Sequence, residues 1–198
     1  MFRRSRRLLA LLLLSVLAAC QPVGRLPGLP PLALASGPKP LIVLSGSLRV
    51  VGPKGYCPDP ATLTETEDSA VVFLGRCAAG NGVRPAVVTV TAGVAGSGVA
   101  MASGGESLAG FFITDTGRAT LARSGRESDV MLGTALADKG VFLMRIDDRA
   151  VGTYWRGMLE VGGRLVSISA TGPDLPPPDG RALVEGTAAA LRRANPRN

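Results

Sequence analysis

Histidine is absent from this 198-residue chain, and cysteine is scarce, with three residues. Without histidine, Ser-His-Asp and Cys-His catalysis, imidazole ligation of zinc and conventional general base chemistry near neutral pH are excluded. Three cysteines are too few for a four-thiolate iron–sulfur cluster. The chain also has no G-x-x-x-x-G-K-[ST] phosphate-binding loop. The sequence therefore predicts no metal, no cofactor and no enzymatic activity.

A dense basic stripe is missing as well. The formal net charge is +7, but four of the 22 Lys and Arg residues lie within the first seven positions. Without them, 18 basic residues stand against 15 acidic ones, a net charge of +3. Nucleic acid is therefore not an expected partner. A small basic end at Arg192, Arg193 and Arg197 fits either acidic lipid headgroups or favourable placement near a helix C-terminus.

The first twenty residues have the pattern of an exported, cleaved segment. Arginines at positions 3, 4, 6 and 7 precede an apolar stretch over residues 8–14, and small residues lead to Cys20. About a dozen apolar residues are too few for a membrane-spanning helix, which needs roughly twenty. Leu17-Ala18-Ala19-Cys20 resembles the lipobox of bacterial lipoproteins. This resemblance implies a signal peptide over residues 1–19 and lipid on Cys20, which anchors the protein to the membrane.

The next residues bear on the destination of the chain. Gln21 follows the cysteine, where an aspartate commonly retains lipoproteins in the inner membrane, so the resemblance implies the outer membrane, facing the periplasm. A short transmembrane anchor and an ordinary signal cleaved near Ala19 are the alternatives, and both also export the domain. Residues 21–40 contain six prolines and three glycines. We therefore expect residues 20–40 to form a tether and residues 41–198 a single globular domain.

Two cysteines remain once Cys20 is assigned to lipid. Cys57 and Cys77 form an even pair in an oxidising compartment, which predicts a disulfide between them. Closing a loop of about twenty residues would stabilise the fold by about 3 kcal/mol. Two free thiols or a redox-active pair are the alternatives, although the spacing is far from C-x-x-C.

Hydrophobic periodicity predicts an α+β domain, with a mainly antiparallel sheet and one or two helices packed on it. A two-residue Gly162-Gly163 turn sets Leu159 opposite Val166 and Trp155 opposite Ala170, giving one packed face and one mixed face. A second hairpin turns at residues 138–140, and the glycine-rich residues 93–105 form a flexible connection. The remaining predicted elements are strands over residues 48–51, 70–75 and 86–91, and helices over residues 107–124 and, with Asp179 as N-cap, 181–194.

Aromatic residues make up 4% of the chain. We expect the neighbouring Phe111 and Phe112 to face the core, with a ligand pocket as the alternative. Trp155 is also expected in the core, because its strand register places it on the apolar face. A solvent-facing stacking platform formed by Tyr154 and Trp155 is the alternative for this pair.

Carboxylates are the main acid/base material in a chain without histidine, and each candidate has a structural explanation. Asp147 and Asp148 are adjacent at a strand end, so we expect their side chains to diverge, and we interpret them as solvated loop residues. Glu65, Glu67 and Asp68 lie on a polar loop and lack the ligand spacing of a calcium loop. Asp115 and Arg118 lie three residues apart on a helix, which fits a surface ion pair. A Ser-Lys dyad would have to use a lysine beside Gly or Pro in a turn. The candidates are Asp147 with Asp148; Glu65, Glu67 and Asp68; Asp115 with Arg118; and Lys39, Lys54 and Lys139.

Five motifs across the mature chain resemble a family of short bacterial lipoproteins that has no known activity. They are Gly55-Tyr56-Cys57, Leu74-Gly75-Arg76-Cys77, Phe111-Phe112-Ile113-Thr114-Asp115-Thr116-Gly117-Arg118-Ala119, Tyr154-Trp155-Arg156-Gly157 and Gly163-Arg164-Leu165-Val166-Ser167. The resemblance implies a lipid-anchored envelope protein and does not imply a reaction.

Three functions follow from these observations, in decreasing order of support. The first is a non-enzymatic interaction or accessory domain with an envelope protein partner, which predicts a filled core and an exposed apolar patch or sheet edge. The second is a carrier of a small ligand or lipid, which predicts an enclosed apolar pocket of several hundred Å³. The third is a carboxylate-dependent enzyme, which requires acidic residues that converge in a cleft.

Overall fold

The computed structural model describes residues 39–78 and 82–196. The strands are β1 (Leu41–Val43), β2 (Leu48–Val50), β3 (Tyr56–Pro58), β4 (Thr64–Glu65), β5 (Ala70–Arg76), β6 (Val87–Ala92), β7 (Val130–Asp138), β8 (Val141–Asp148), β9 (Gly152–Val161) and β10 (Arg164–Thr171). The α-helices are α1 (Glu106–Phe112), α2 (Asp115–Leu121) and α3 (Pro177–Ala194). Short 3-10 helices occur at Pro60–Thr62, Ser97–Met101 and Glu127–Asp129.

Eight of these strands form one antiparallel sheet. Its strands follow the order β3-β5-β6-β10-β9-β8-β7, and β4 pairs with β5. The β1–β2 hairpin is a separate two-stranded sheet. The predicted α+β class with a mainly antiparallel sheet is therefore confirmed. No helix of the described residues is long and apolar enough to cross a membrane.

The β9–β10 hairpin has the register that the sequence predicts. Leu159 pairs with Val166, and Trp155 pairs with Ala170. Gly162 and Gly163 form the turn with φ angles of 59° and 76°. A two-residue turn with both angles positive matches the right-handed twist of the flanking strands, and glycine adopts it without steric cost.

The β7–β8 hairpin differs in its turn from the prediction. Asp138 pairs directly with Val141, so the turn contains two residues, Lys139 and Gly140, instead of three. The irregularity lies inside β7, where the register shifts between Leu132 and Ala135.

The inner face of the sheet packs against α3, which contacts β9 and β10. Gly157 allows this close approach, because a Cβ atom there would lie 2.5 Å from Cγ1 of Val184. The helix begins at Pro177 with Pro176 as N-cap, so the prediction of Asp179 as N-cap is wrong. Proline at the first helical position already has a helical φ angle. Asp179 lies in the first turn and pairs with Arg84.

Two short helices on the outer face replace the single helix predicted over residues 107–124. Thr114 separates α1 from α2, and its hydroxyl accepts the Gly117 N–H at 3.0 Å. Gly117 then packs against α1 so closely that a Cβ atom would lie 2.0 Å from the Phe111 carbonyl oxygen. A side-chain cap and a close backbone contact therefore bend the chain at this corner.

The glycine-rich residues 93–105 include a 3-10 helix and are tied to the sheet. The Gly98 N–H donates to the Gly163 carbonyl at 3.0 Å, and the Leu165 N–H donates to the Ser97 hydroxyl at 2.9 Å. These hydrogen bonds attach to the sheet a segment for which the sequence predicts a flexible connection.

The predicted disulfide between Cys57 and Cys77 is present. It joins β3 to the residue that follows β5, and these two strands pair over only three residue positions. Pro58 lies in β3. An outermost strand tolerates proline because one of its sides needs no ladder hydrogen bonds.

Candidate functional site: an open groove on the outer face of the sheet

The outer face of the sheet is covered over only part of its width. A second hydrophobic core lies between α1, α2 and strands β7 to β9, and it includes Phe112, Ile146 and Met158. The outward residues of β5, β6 and β10 are half-buried or exposed. A groove of about 760 Å³ runs between this open strip and the two helices.

Hydroxyl side chains line much of the groove floor together with Val71 and Leu165, and phenylalanines lie at its sides. Phe73 on β5 and Phe111 on α1 line it from opposite sides, and each is 41% exposed. The prediction that both phenylalanines face the core is therefore right for Phe112, which is buried, and wrong for Phe111. The hydroxyl groups on the strands that line the floor belong to Thr89, Thr91, Ser167, Ser169 and Thr171.

Arg156 brings a positive charge into the groove. It lies on β9, is half-buried, and donates from Nε to the Ser169 hydroxyl at 3.3 Å. Its guanidinium carbon lies 5.7 Å from the centroid of the Tyr154 ring. Among the residues that the structure describes, no carboxylate forms an ion pair with Arg156. A guanidinium that forms no ion pair is suited to bind an anion.

The acidic residue that lines the groove is Asp148, which is 3% exposed. Its Oδ2 accepts the Arg123 N–H at 2.8 Å, and its Oδ1 accepts the Ala150 N–H at 2.6 Å. The interpretation of Asp148 as loop solvation is therefore wrong, because its carboxylate joins the end of α2 to the β8–β9 turn. Asp147 bonds Thr153 and Arg145 instead, so the two aspartates diverge as predicted.

Tyr154 attaches the end of α2 to the sheet. Its hydroxyl donates to the Leu121 carbonyl at 3.2 Å. Burial raises the pKa of Tyr154, and the nearby Arg156 opposes this shift only in part. Tyr154 and Trp155 are each 6% exposed and belong to different cores, so they do not form a stacking platform. The prediction of Trp155 in the core is confirmed.

Asp129 is a buried carboxylate that sequence reasoning did not identify. It is 8% exposed and accepts hydrogen bonds from the Ser124 hydroxyl at 2.6 Å and from Arg126 at 2.8 Å. These two hydrogen bonds lower the pKa of Asp129. Its Oδ1 also lies 3.4 Å from Nη1 of Arg149. Asp129 therefore holds together the loop between α2 and β7.

The other predicted acid/base candidates do not converge. Glu65 accepts the Leu44 N–H, and Asp115 pairs with Arg118 on the surface, as predicted. Lys54 borders a shallow hollow beside Tyr56, and Lys139 lies in its turn. The described residues contain no group of three or more His, Cys, Asp or Glu placed to hold a metal ion.

Sequence predictions also concern the two ends of the chain. Cys20 and the tether up to residue 38 lie outside the described residues, so the lipidation site stays a prediction. In the basic C-terminal end, Arg192 donates to the carbonyls of Lys139 and Gly140 at 2.6 and 2.8 Å. This contact ties the last turns of α3 to the β7–β8 hairpin.

Comparison of the chain with protein-family models, with curated proteins and with solved structures finds no match. The groove is therefore interpreted through its own geometry and chemistry.

Proposed function

We propose that the protein is a lipid-anchored interaction domain of the bacterial cell envelope, attached to the outer membrane and facing the periplasm. It binds a partner protein instead of catalysing a reaction. One observation carries this proposal: the outer face of the sheet is covered over β7 to β9 and at Leu165 on β10, and it is open over β5, β6 and the rest of β10. An open sheet face with exposed aromatic side chains is typical of a surface that another molecule covers.

The inner core supports an interaction domain over a carrier. Leu159, Ile168 and Leu191 are 0% exposed between the sheet and α3, so the space that a carrier would use there is filled. The groove has a volume within the range of roughly 300–1,000 Å³ that small-ligand sites occupy. However, its exposed phenylalanines and hydroxyl floor differ from the enclosed apolar pocket of a carrier. A small-ligand carrier is therefore the second candidate.

The proposal includes a membrane anchor at the N-terminal end of the mature chain. Lipid on Cys20 would attach the chain to the membrane, and residues 20–40 would act as the tether. An extended proline-rich segment of this length, at about 3 Å per residue, spans several tens of Å. The domain could then reach a partner that lies away from the bilayer surface.

Site-specific photo-crosslinking of the full-length protein in its source bacterium tests the proposal. A photoreactive residue replaces Thr89 on the groove floor, and a matched control replaces Ala189, which is exposed on α3. We expect Thr89 to form an adduct with one envelope protein and Ala189 to form none. Equal adducts at both positions would contradict the proposal, and an adduct with a lipid or small molecule would favour the carrier.

The full-length protein, purified from its source bacterium, tests the lipid anchor. Mass spectrometry of its N-terminal peptide should show a lipid-modified Cys20. An unmodified Cys20 would overturn the anchoring claim while leaving the groove proposal intact.

A further inference from the structure

We infer that the groove recognises an amphipathic α-helix of the partner, and that an Asp or Glu side chain of this helix pairs with Arg156. The inference rests on the proposed function and specifies the chemistry of the partner. It is supported by the charge of the groove, by the width of the open strip and by the composition of its lining.

Charge complementarity selects an acidic partner. Nε of Arg156 is occupied by Ser169, whereas Nη1 and Nη2 donate to no described residue. These two nitrogens form a planar fork that binds a carboxylate with two parallel hydrogen bonds. Arg123 adds a second positive charge at the rim, and the carboxylate of Asp148 already accepts backbone N–H groups. A second copy of this groove would bring like charges together, so a symmetric dimer through two facing grooves is disfavoured.

The width of the strip matches a helix. Strands β5, β6 and β10 are adjacent in the sheet, and neighbouring strands lie about 4.8 Å apart, so the outer two are separated by about 10 Å. An α-helix with its side chains is about 10 Å wide. The inner face of the same sheet already accommodates α3 across β9 and β10.

Backbone hydrogen bonding favours a helix over an extended segment. β6 is paired with β5 on one side and with β10 on the other. An extended segment lying on this face would therefore find no backbone partners for its own N–H and C=O groups. A helix satisfies those groups internally and binds through its side chains alone.

The lining disfavours an acyl chain. The Thr89, Thr91 and Ser167 hydroxyls would be covered by a chain that offers no hydrogen bonds, which is unfavourable. Helix side chains can hydrogen-bond to these hydroxyls. The apolar side chains of the same helix can contact Phe73 and Phe111 on the walls.

Mapping of cross-linked residues tests the helical occupant. Photoreactive residues are placed one at a time at Thr89, Ser167 and Phe111 in the full-length protein in its source bacterium. Tandem mass spectrometry then identifies the partner residue attached at each position. We expect attachments within one segment of one protein, three, four or seven residues apart, with an Asp or Glu in the same segment. Attachments two residues apart, or adducts with lipid or glycan, would overturn the helical occupant.

Variants of Arg156 test the charge pair. We expect Arg156→Gln to lower the adduct yield at Thr89 at least tenfold, and Arg156→Lys to lower it less because the charge is kept. Arg193→Gln removes the same charge from an exposed position of α3 outside the groove, so its yield should stay within about twofold of the native yield. Melting temperatures show whether each variant is folded.

A peptide probe makes the test independent of the folding of these variants. A synthetic peptide with the cross-linked partner sequence is compared with its Glu→Gln or Asp→Asn version in binding to the native protein. We expect the amide version to bind at least tenfold more weakly, and equal binding would overturn the charge pair.

Two negative results have different meanings. The absence of adducts at all three groove positions would overturn the proposed function itself. A full yield of adducts in a folded Arg156→Gln variant would leave the groove as a docking surface and overturn only the inference about its partner.

Discussion

On the inner face of the sheet, Val166, Ile168 and Leu159 are 0% exposed in one core with α3 and the β1–β2 hairpin. On the outer face, α1 and α2 cover β7 to β9 and leave the hydroxyl-rich strip of β5, β6 and β10 open. Both faces belong to the same strands, because alternate residues point to opposite sides. One sheet therefore has its stabilising contacts on one face and an open groove on part of the other.

The largest expected effect separates the two faces directly. Leu159→Ala should lower the free energy of unfolding by about 2–5 kcal/mol, because it leaves a cavity in the filled inner core. Ser167→Ala, on the open strip of the neighbouring strand, should change it by no more than about 0.5 kcal/mol. Urea denaturation followed by the fluorescence of Trp155 measures both. Similar losses for the two variants would contradict the assignment of stability to the inner face.

Removing the disulfide tests how far the edge of the sheet depends on covalent attachment. The double variant Cys57→Ala with Cys77→Ala should lower the free energy of unfolding by about 3 kcal/mol, because the unfolded chain gains freedom in a loop of about twenty residues. A reducing agent should cause the same loss in the native protein and no further loss in the double variant. If reduction leaves the native protein unchanged, the disulfide does not support this edge.

Two glycines give a matched pair on opposite faces. Gly157→Ala should lower the free energy of unfolding by about 1–3 kcal/mol, because the new methyl group would overlap Val184 of α3. Gly75→Ala on β5 meets nothing within 4 Å, so its effect should be within about 0.5 kcal/mol. Thermal denaturation compares the two variants. An equal effect would show that α3 does not pack closely over Gly157.

The smallest expected effect concerns the loop that follows α2. The pKa of Asp129 is lowered in the folded protein, so its ionised form stabilises the fold above its ordinary pKa of 3.8. Asp129→Asn should therefore lower the melting temperature near pH 7. The difference from the native protein should begin to shrink below about pH 3.8, where the carboxylate of the unfolded chain is protonated, and it should keep shrinking until the pH falls below the lowered pKa of the folded protein. A difference that stays constant down to pH 2 would show that this charge does not stabilise the loop.

Local patterns predicted the β9–β10 hairpin well. Its register follows from two glycines and from alternating apolar residues, so no distant part of the chain is needed to specify it. The break between α1 and α2 was missed, because it depends on Gly117 packing against the Phe111 carbonyl. Asp129 was missed and Asp148 was misinterpreted for a similar reason, since their partners at Ser124 and Arg123 are brought near by the folding of the loops around α2.

The sequence predicts only part of the groove. The register of β9 and β10 already showed one apolar face and one mixed face, and Arg156 lies on the mixed face. The sequence did not show that α1 and α2 stop short of β10.

Sequence alone predicts the α+β class, the disulfide partners and the packed face of the central hairpin, because these depend on periodicity, turn residues and cysteine number. It also carries the predicted lipid anchor at Cys20. The folded structure is needed to see where the short helices end and which strands they leave uncovered. That outcome depends on close contacts between residues far apart in the chain, and it places Arg156 in an open groove.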